Sequence, residues 1–383
     1  SIRSKSMSKK TLLILGGYGH TGRPLARLLL QETDVQLVLA GRSREKAEAA
    51  AAECNREFPG RVLGSFADAS NQTDLEQVFR GIDLVIVASS TARYARDVAE
   101  AALAAGIDYL DIQYSTQKII ALQSFSAEIE NAGRCFITDG GFHPGLPAAL
   151  VRYAAGHFDS LERAVIGSVI KEDWASLDLP DETIQELLEE INDFQSLVFK
   201  DGIWKKARMF GMQGYLRMDF GSEFGLQYCA PMFLEEMRAL PKMFPSLQET
   251  GFFVGGFNWF TDWVVMPLAM VVTKTWPQKG LKPMVKLMKW GLKAFSRPPF
   301  GTLLKVEAKG SKNGQAKELH VTLYHPDGYL FTAIPVVACL LQYLDGTARK
   351  PGLWTQAHLI EPVRLMRDMQ HMGIDIQSTE GPA

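Results

Sequence analysis

The chain has 383 residues, of which 46% are hydrophobic and 22% charged, with a formal net charge of −2. That balance lacks the basic footprint of a nucleic-acid binder, and without low-complexity tracts it describes a globular protein acting on a small molecule, with no nucleic-acid partner expected. The length exceeds one ordinary core and implies two domains.

Cys54, Cys135, Cys229 and Cys339 are widely separated and form no C-x-x-C pair, and the seven histidines show no ligand spacing. Neither a disulfide framework nor a metal site is expected, and a reducing cytoplasmic compartment fits best. Residues 1–6, ahead of Met7, read as an expression remnant.

The run TLLILGGYGHTG at 11–22 joins a buried-strand pattern to a glycine-rich turn at a helix start. Gly17, Gly19 and Gly22 match G-x-G-x-x-G: Gly17 for the tight turn, Gly19 for backbone approach to a pyrophosphate, Gly22 for close helix–strand packing. Tyr18, His20 and Thr21 complete the loop, and the helix over 23–31 aims free N–H groups and its positive dipole end at the phosphates. The expected ligand is a dinucleotide.

A second buried run, 35–40, ends in Ala40-Gly41-Arg42-Ser43, with Lys46 one turn further on. A carboxylate at this tip would select a ribose 2′-hydroxyl. Arg42 instead offers a planar fork for a 2′-phosphate, Ser43 a cap and a hydrogen bond, and Lys46 a further charge, so NADP(H) is the expected cofactor. The plainer reading leaves Arg42 and Lys46 as solvated surface charges.

Strands at 61–66, 83–88, 108–112 and 134–138 alternate with helical patterns to about residue 150, which makes an α/β, doubly wound parallel sheet. Strand ends on the glycine-loop edge become candidate cofactor positions: Asp68 beside the adenine, and Ser89, Ser90 and Thr91 beside the phosphates or nicotinamide.

From 161 the texture changes. A strand at 161–170, an acidic amphipathic helix at 181–191, a hairpin at 197–206 around Asp201-Gly202, and strands at 303–309 and 318–325 around Asn313-Gly314 imply a second α+β domain with a mixed or antiparallel sheet. The aromatic-rich run 251–272 suits either an apolar substrate wall or a domain core, and its glycines, Asp262 and Pro267 argue against a transmembrane span. Over 281–295 lysines and apolar residues fall on separate stripes. That pattern belongs to a helix packed on its own domain or to one lying in a membrane interface, so peripheral membrane contact is a second expectation here. Helical patterns return over 329–344 and 361–372. The expected division is 7–150 for nucleotide binding, 151–328 as second domain, and 329–383 as helices returning to the first.

Several segments together resemble the saccharopine dehydrogenase-like oxidoreductases: GGYGHTG, AGRSREKA, DLVIVASSTARYARDVAEAALAAGIDYLDIQYS, DGGFHPGLP at 139–147, and near the end GYLFTAIPVVACLLQYLDG with GLWTQAHLIEP. The resemblance implies a Rossmann NADP-binding domain interrupted by a substrate domain, and hydride transfer at a carbon–nitrogen bond; a homodimer is a separate, open expectation. Some relatives are similar to enoyl reductases acting on lipids. A saccharopine-like substrate carries several carboxylates, whereas 161–333 holds only Arg163, Arg208, Arg217, Arg238 and Arg297 among many Phe, Trp and Met residues, which favours a more apolar substrate.

Tyr114 lies in the resembling strand-end segment, and its Y-x-x-x-K spacing to Lys118 reads as a chance match to the short-chain dehydrogenase pair, being too early in the chain for that order. His143, in a loop held by Pro144 and Gly145 with Asp139 able to orient it, is the other proton-donor candidate. The reading is therefore an NADPH-dependent reductase with Tyr114 or His143 as donor and Asp139 in support. The alternatives are an enoyl reductase and a non-catalytic nucleotide sensor.

Overall fold

The computed structural model describes residues 9–89, 92–208 and 213–383. The chain divides into two units, Ser1–Ala149 with Tyr329–Met372, and Leu150–Gly328 with Gly373–Ala383.

In the first unit the strands are β1 (Thr11–Leu15), β2 (Gln36–Gly41), β3 (Val62–Phe66), β4 (Leu84–Val87), β5 (Asp108–Asp111) and β6 (Cys135–Thr138). The second unit contributes β7 (Ser160–Lys171), β8 (Leu197–Lys200), β9 (Ile203–Lys206), β10 (Leu216–Asp219), β11 (Leu226–Pro231), β12 (Glu249–Gly255), β13 (Gly301–Lys312) and β14 (Gln315–His325). Then β15 (Gly352–Thr355) belongs to the first unit and β16 (Asp375–Gly381) to the second.

Seven parallel strands in the order β15-β6-β5-β4-β1-β2-β3 form the first sheet. The strands read as apolar runs because both faces are covered: Leu12, Leu13, Ile14, Leu84, Val85, Ile86 and Val87 are completely buried. Strand order reverses between β1 and β4, so the turn after β1 sits at the topological switch point where such sheets bind ligands. Register fixes what else shares that edge. Leu15 pairs with Ala40 and Val87, Val87 with Asp111, and Thr138 with Thr355, so the loops after β5, β6 and β15 open there too.

The C-terminal helix Gly328–Leu344 and its loop are tied to β5 by Asp108, which accepts from the Tyr343 hydroxyl at 2.6 Å and Arg349 Nε at 2.9 Å. The remaining tail departs from the expected helical return: residues 375–381 pair antiparallel with β14 in the second sheet. Their alternation of half-buried and exposed polar residues is that of an edge strand without an apolar face.

The second sheet runs β10-β11-β12-β7-β13-β14-β16 and is mixed, β7 pairing parallel with β12 and antiparallel with β13. Both hairpins form where the turn residues allow a left-handed backbone, at Asp201-Gly202 (φ 54° and 84°) and Asn313-Gly314 (φ 52° and 73°).

Helices Asp181–Asp193, Thr261–Val265 continuing as Met266–Thr275, and Leu281–Phe295 form a separate cap around Ile184, Leu188, Val265, Ala269, Met288 and Leu292. Of the two readings of 281–295, the structure shows the apolar stripe buried within its own unit. The 251–272 run splits into β12 and the start of the second cap helix, and no helix among the described residues is long and apolar enough to cross a membrane.

Candidate active site

The loop after β1 is shaped by close approach. Gly16, not Gly17, adopts the left-handed conformation (φ 86°), so the turn expected of Gly17 belongs one residue earlier. Gly17 instead leaves room for Leu39, whose Cβ would lie 2.9 Å from a Gly17 side chain. At Gly22 a Cβ would fall 2.2 Å from the Gly16 carbonyl oxygen, which is why the helix Gly22–Glu32 can start directly against the strand.

That helix start has no side-chain cap, and among the described residues the N–H groups of Tyr18, His20, Thr21 and Gly22 make no hydrogen bond. Uncapped donors at the positive end of an 11-residue helix are what a pyrophosphate would satisfy. Ser89, at the end of β4, lies against the same turn, its N and Cβ being 2.9 Å from where a Gly16 Cβ would stand. Ser90 and Thr91 lie outside the described residues. His20 stacks on Tyr329, with ring centroids 5.3 Å apart.

The tip of β2 is held to this loop by Tyr18. The Ser43 N–H donates to the Tyr18 hydroxyl at 3.0 Å, and Gly41 has no side chain because the Tyr18 ring fills its place. Ser43 Oγ accepts from the Lys46 N–H at 3.3 Å and caps Arg44–Glu57, leaving Arg42 and Lys46 exposed at the tip. Asp68 is on the same edge. Two hydrogen bonds from Ser70, and then the Arg42 charge, hold its carboxyl below the usual range.

A second constellation occupies the edge at β5 and β6. Lys118 is fully buried, and its ammonium donates to Asp111 Oδ1 at 2.7 Å, Asp139 Oδ1 at 2.7 Å and the Gln113 carbonyl. Those acceptors match the three N–H donors of the ammonium. Burial alone would lower the Lys118 pKa, but Asp111 and Asp139 together hold it above the ordinary value. Asp111 also accepts from the Tyr109 hydroxyl at 2.8 Å and Thr138 Oγ1 at 2.9 Å.

Asp139 has φ 54° and opens the loop 139–147. Gly140 N–H donates to the Asp111 carbonyl at 2.8 Å, and Gln356 clamps Gly141 twice, accepting from its N–H at 3.1 Å and donating to its carbonyl at 2.9 Å. The sequence reading missed this role of Gln356, which lies 215 residues away; the available signal was the GLWTQAHL segment itself.

Residues 12–134 match the family model of the saccharopine dehydrogenase NADP binding domain. The match lies within the first unit. Over the whole chain the fold is similar to that of the L-Glu-forming saccharopine dehydrogenase from Saccharomyces cerevisiae, with a TM-score of 0.70, 14% identity, and coverage of 97% of this chain and 100% of that one. A DAP dehydrogenase from C. glutamicum gives a TM-score of 0.47 at 14% identity over 96% of this chain and 100% of that one, too low a score to equate the folds. No curated protein matches the chain in sequence. The match to an NADP-binding domain model, together with this fold, supports an NAD(P)-dependent oxidoreductase with NADP(H) as its nucleotide.

Within the first unit, the Gly-rich loop, Ser89 and the Arg42–Ser43–Lys46 tip form one end of the edge. The strand ends leading to Tyr114, Asp139 and His143 form the other. Burial lowers the His143 pKa to about 4, which leaves its imidazole uncharged at neutral pH.

The folded pKa lies below the ordinary 6.5, so the stability tied to neutral His143 is complete above about pH 6.5 and is lost as pH falls through about 4. The loss is at most ~3 kcal/mol. Urea unfolding of His143→Gln across that window should show a flatter pH dependence than wild type; parallel curves would contradict the assignment.

In the second unit, Lys171 donates to the Gly256 carbonyl at 2.7 Å and the Phe257 carbonyl at 3.2 Å, and Asp262 Oδ1 accepts from Phe257 N–H at 2.8 Å. Burial raises Asp262 to about 6 against those hydrogen bonds and the Lys171 charge. Among the described residues no group of three or more His, Cys, Asp or Glu side chains is placed to hold a metal ion.

Proposed function

We propose that the protein transfers hydride between NADPH and a carbon–nitrogen bond of a substrate more apolar than an opine. The observation that carries the cofactor half is the uncapped glycine loop at the switch point, with Arg42 and Lys46 exposed beside it. The loop N–H groups would hold the pyrophosphate, and Arg42, Ser43 and Lys46 the 2′-phosphate. When bound, NADPH supplies a hydride from nicotinamide C4.

Reduction of C=N adds hydride at carbon and one proton at nitrogen. Tyr114 is the proposed donor of that proton, since His143 is neutral at physiological pH and is better suited to orienting the substrate nitrogen by a hydrogen bond. The Lys118–Asp111–Asp139 cluster fixes the backbone from which the 139–147 loop departs.

The apolar character of the substrate is supported by where the arginines of the second unit are spent. Arg163 pairs with Glu249 at 3.1 Å, Arg238 with Glu235 at 2.7 Å, and Arg297 donates to the carbonyls of Ala294 and Ser296. A dicarboxylate clamp would have to come from the remainder.

NADPH deuterated at C4 should deliver its label to the imine carbon of aryl- or alkyl-substituted imines. Tyr114→Phe should slow that transfer by roughly 100-fold or more, and His143→Ala by less, both with NADPH affinity retained. Label at the β-carbon of an enoyl thioester would replace this reading with enoyl reduction; NADPH binding without transfer to either class would favour a nucleotide sensor.

A further inference from the structure

Eight of the eighteen large hydrophobic side chains exposed among the described residues fall between 259 and 290, within the helical cap of the second unit. The helix continuing through Met266–Thr275 buries one stripe, Val265 and Ala269, and turns the opposite one outward: Val264, Leu268 and Val271 are 40%, 42% and 60% exposed. These positions recur at helical spacing, so they form a continuous unpartnered face.

Next to it, Trp259, Phe260, Trp290 and Phe295 form an aromatic cluster with ring centroids 4.5 to 5.7 Å apart, and both tryptophans are more than half exposed. Trp290 also lines an open groove of about 440 Å³ with Lys286, Lys289, Lys293 and Ala294.

Charge selects the occupant. From 263 to 306 the sequence contains no Asp or Glu, while Lys274, Lys279, Lys282, Lys286, Lys289 and Lys293 are followed by Arg297 and Lys305. The acidic helix Asp181–Asp193 packs on this helix and neutralises part of the stripe, Asp181 accepting from Lys289 at 2.9 Å. Lys282, Lys286 and Lys293 enter no salt bridge among the described residues. A second copy of this chain would set lysines against lysines across a two-fold axis, so the patch is unsuited to self-pairing.

We propose that this cap is the docking surface for a membrane carrying anionic lipid. Trp259, Trp290 and the Val264–Leu268–Val271 face would enter the headgroup boundary, and Lys282, Lys286 and Lys293 would bind the lipid phosphates. Contact is through the outward faces of the cap; the buried stripe of 281–295 takes no part. The inference is independent of the reaction proposed above.

The test is flotation of the full chain with phosphatidylcholine vesicles, with and without phosphatidylglycerol, at low and high salt. Co-flotation with the anionic vesicles alone is expected, lost at high salt and accompanied by a blue shift of tryptophan emission. Replacing Lys282, Lys286 and Lys293 together by glutamine should weaken it on the order of a hundredfold, and Trp259→Ala with Trp290→Ala should weaken it separately. The lysine variant alters two exposed side chains and one half-buried one, none in a salt bridge among the described residues, so it decides the matter even if the tryptophan variant fails to fold. Absence of flotation, equal binding to neutral vesicles, unchanged binding by the lysine variant, or concentration-dependent self-association lost in that variant would each overturn the proposal.

Discussion

Lys118→Met is expected to destabilise the protein by roughly 3–5 kcal/mol at neutral pH. The substitution keeps the length and much of the apolar stem of the side chain but removes the cation that bridges Asp111 and Asp139 at 2.7 Å, inside a site that is almost fully buried. Asp111 keeps its hydrogen bonds from Tyr109, Thr138 and the Asp139 N–H, but both buried carboxylates lose the Lys118 charge, and the Gln113 carbonyl loses its donor. The deficit should shrink as pH is lowered, because protonating one of the two carboxyls removes a buried charge that Lys118 no longer balances. Urea midpoints measured from neutral to mildly acidic pH would show a large gap between variant and wild type that closes with acidity. A gap independent of pH would mean that lost packing, and not charge, dominates.

Gly22→Ala is the second large effect. Its Cβ would stand 2.2 Å from the Gly16 carbonyl oxygen and 2.8 Å from Gly17 Cα, both backbone atoms that cannot rotate away. The helix must back off the strand, at a cost of ~1–3 kcal/mol, and the N–H groups of His20, Thr21 and Gly22 move with it. NADPH affinity should therefore fall by more than about tenfold while the fold survives. Intact affinity in a stably folded variant would show that these N–H groups do not carry the phosphates.

The first sheet was readable because its strands are covered on both faces and its glycine turn has a steric signature. Thus β1 to β6 appear as short apolar runs within a residue or two of their observed ends. By contrast, β15 is four residues of Gly-Leu-Trp-Thr without a pattern, and β16 is a polar edge strand whose pairing with β14 comes from tertiary context.

The site divides in the same way. Arg42, Ser43 and Lys46 were legible because the tip of β2 is local to its own strand and helix. Lys118 offered only a local spacing to Tyr114, whereas its carboxylate partners Asp111 and Asp139, 7 and 21 residues away, are brought together by the pairing of two strand ends. The amphipathic stripes of 281–295 were also plain in sequence. Which stripe is buried depends on the neighbouring helices 181–193 and 261–275, information that no single-helix pattern contains.

The central claim is an NADP(H) site read out by the tip of β2, and equilibrium fluorescence titration with NADPH and NADH, for wild type and Arg42→Ala, tests it most directly. Wild type should prefer NADPH, and the substitution should weaken NADPH by roughly 10–100-fold, the value of charge-assisted bonds to one phosphate, with NADH little changed. Equal affinity of the wild type for both nucleotides, or an equal loss of both in the variant, would contradict it.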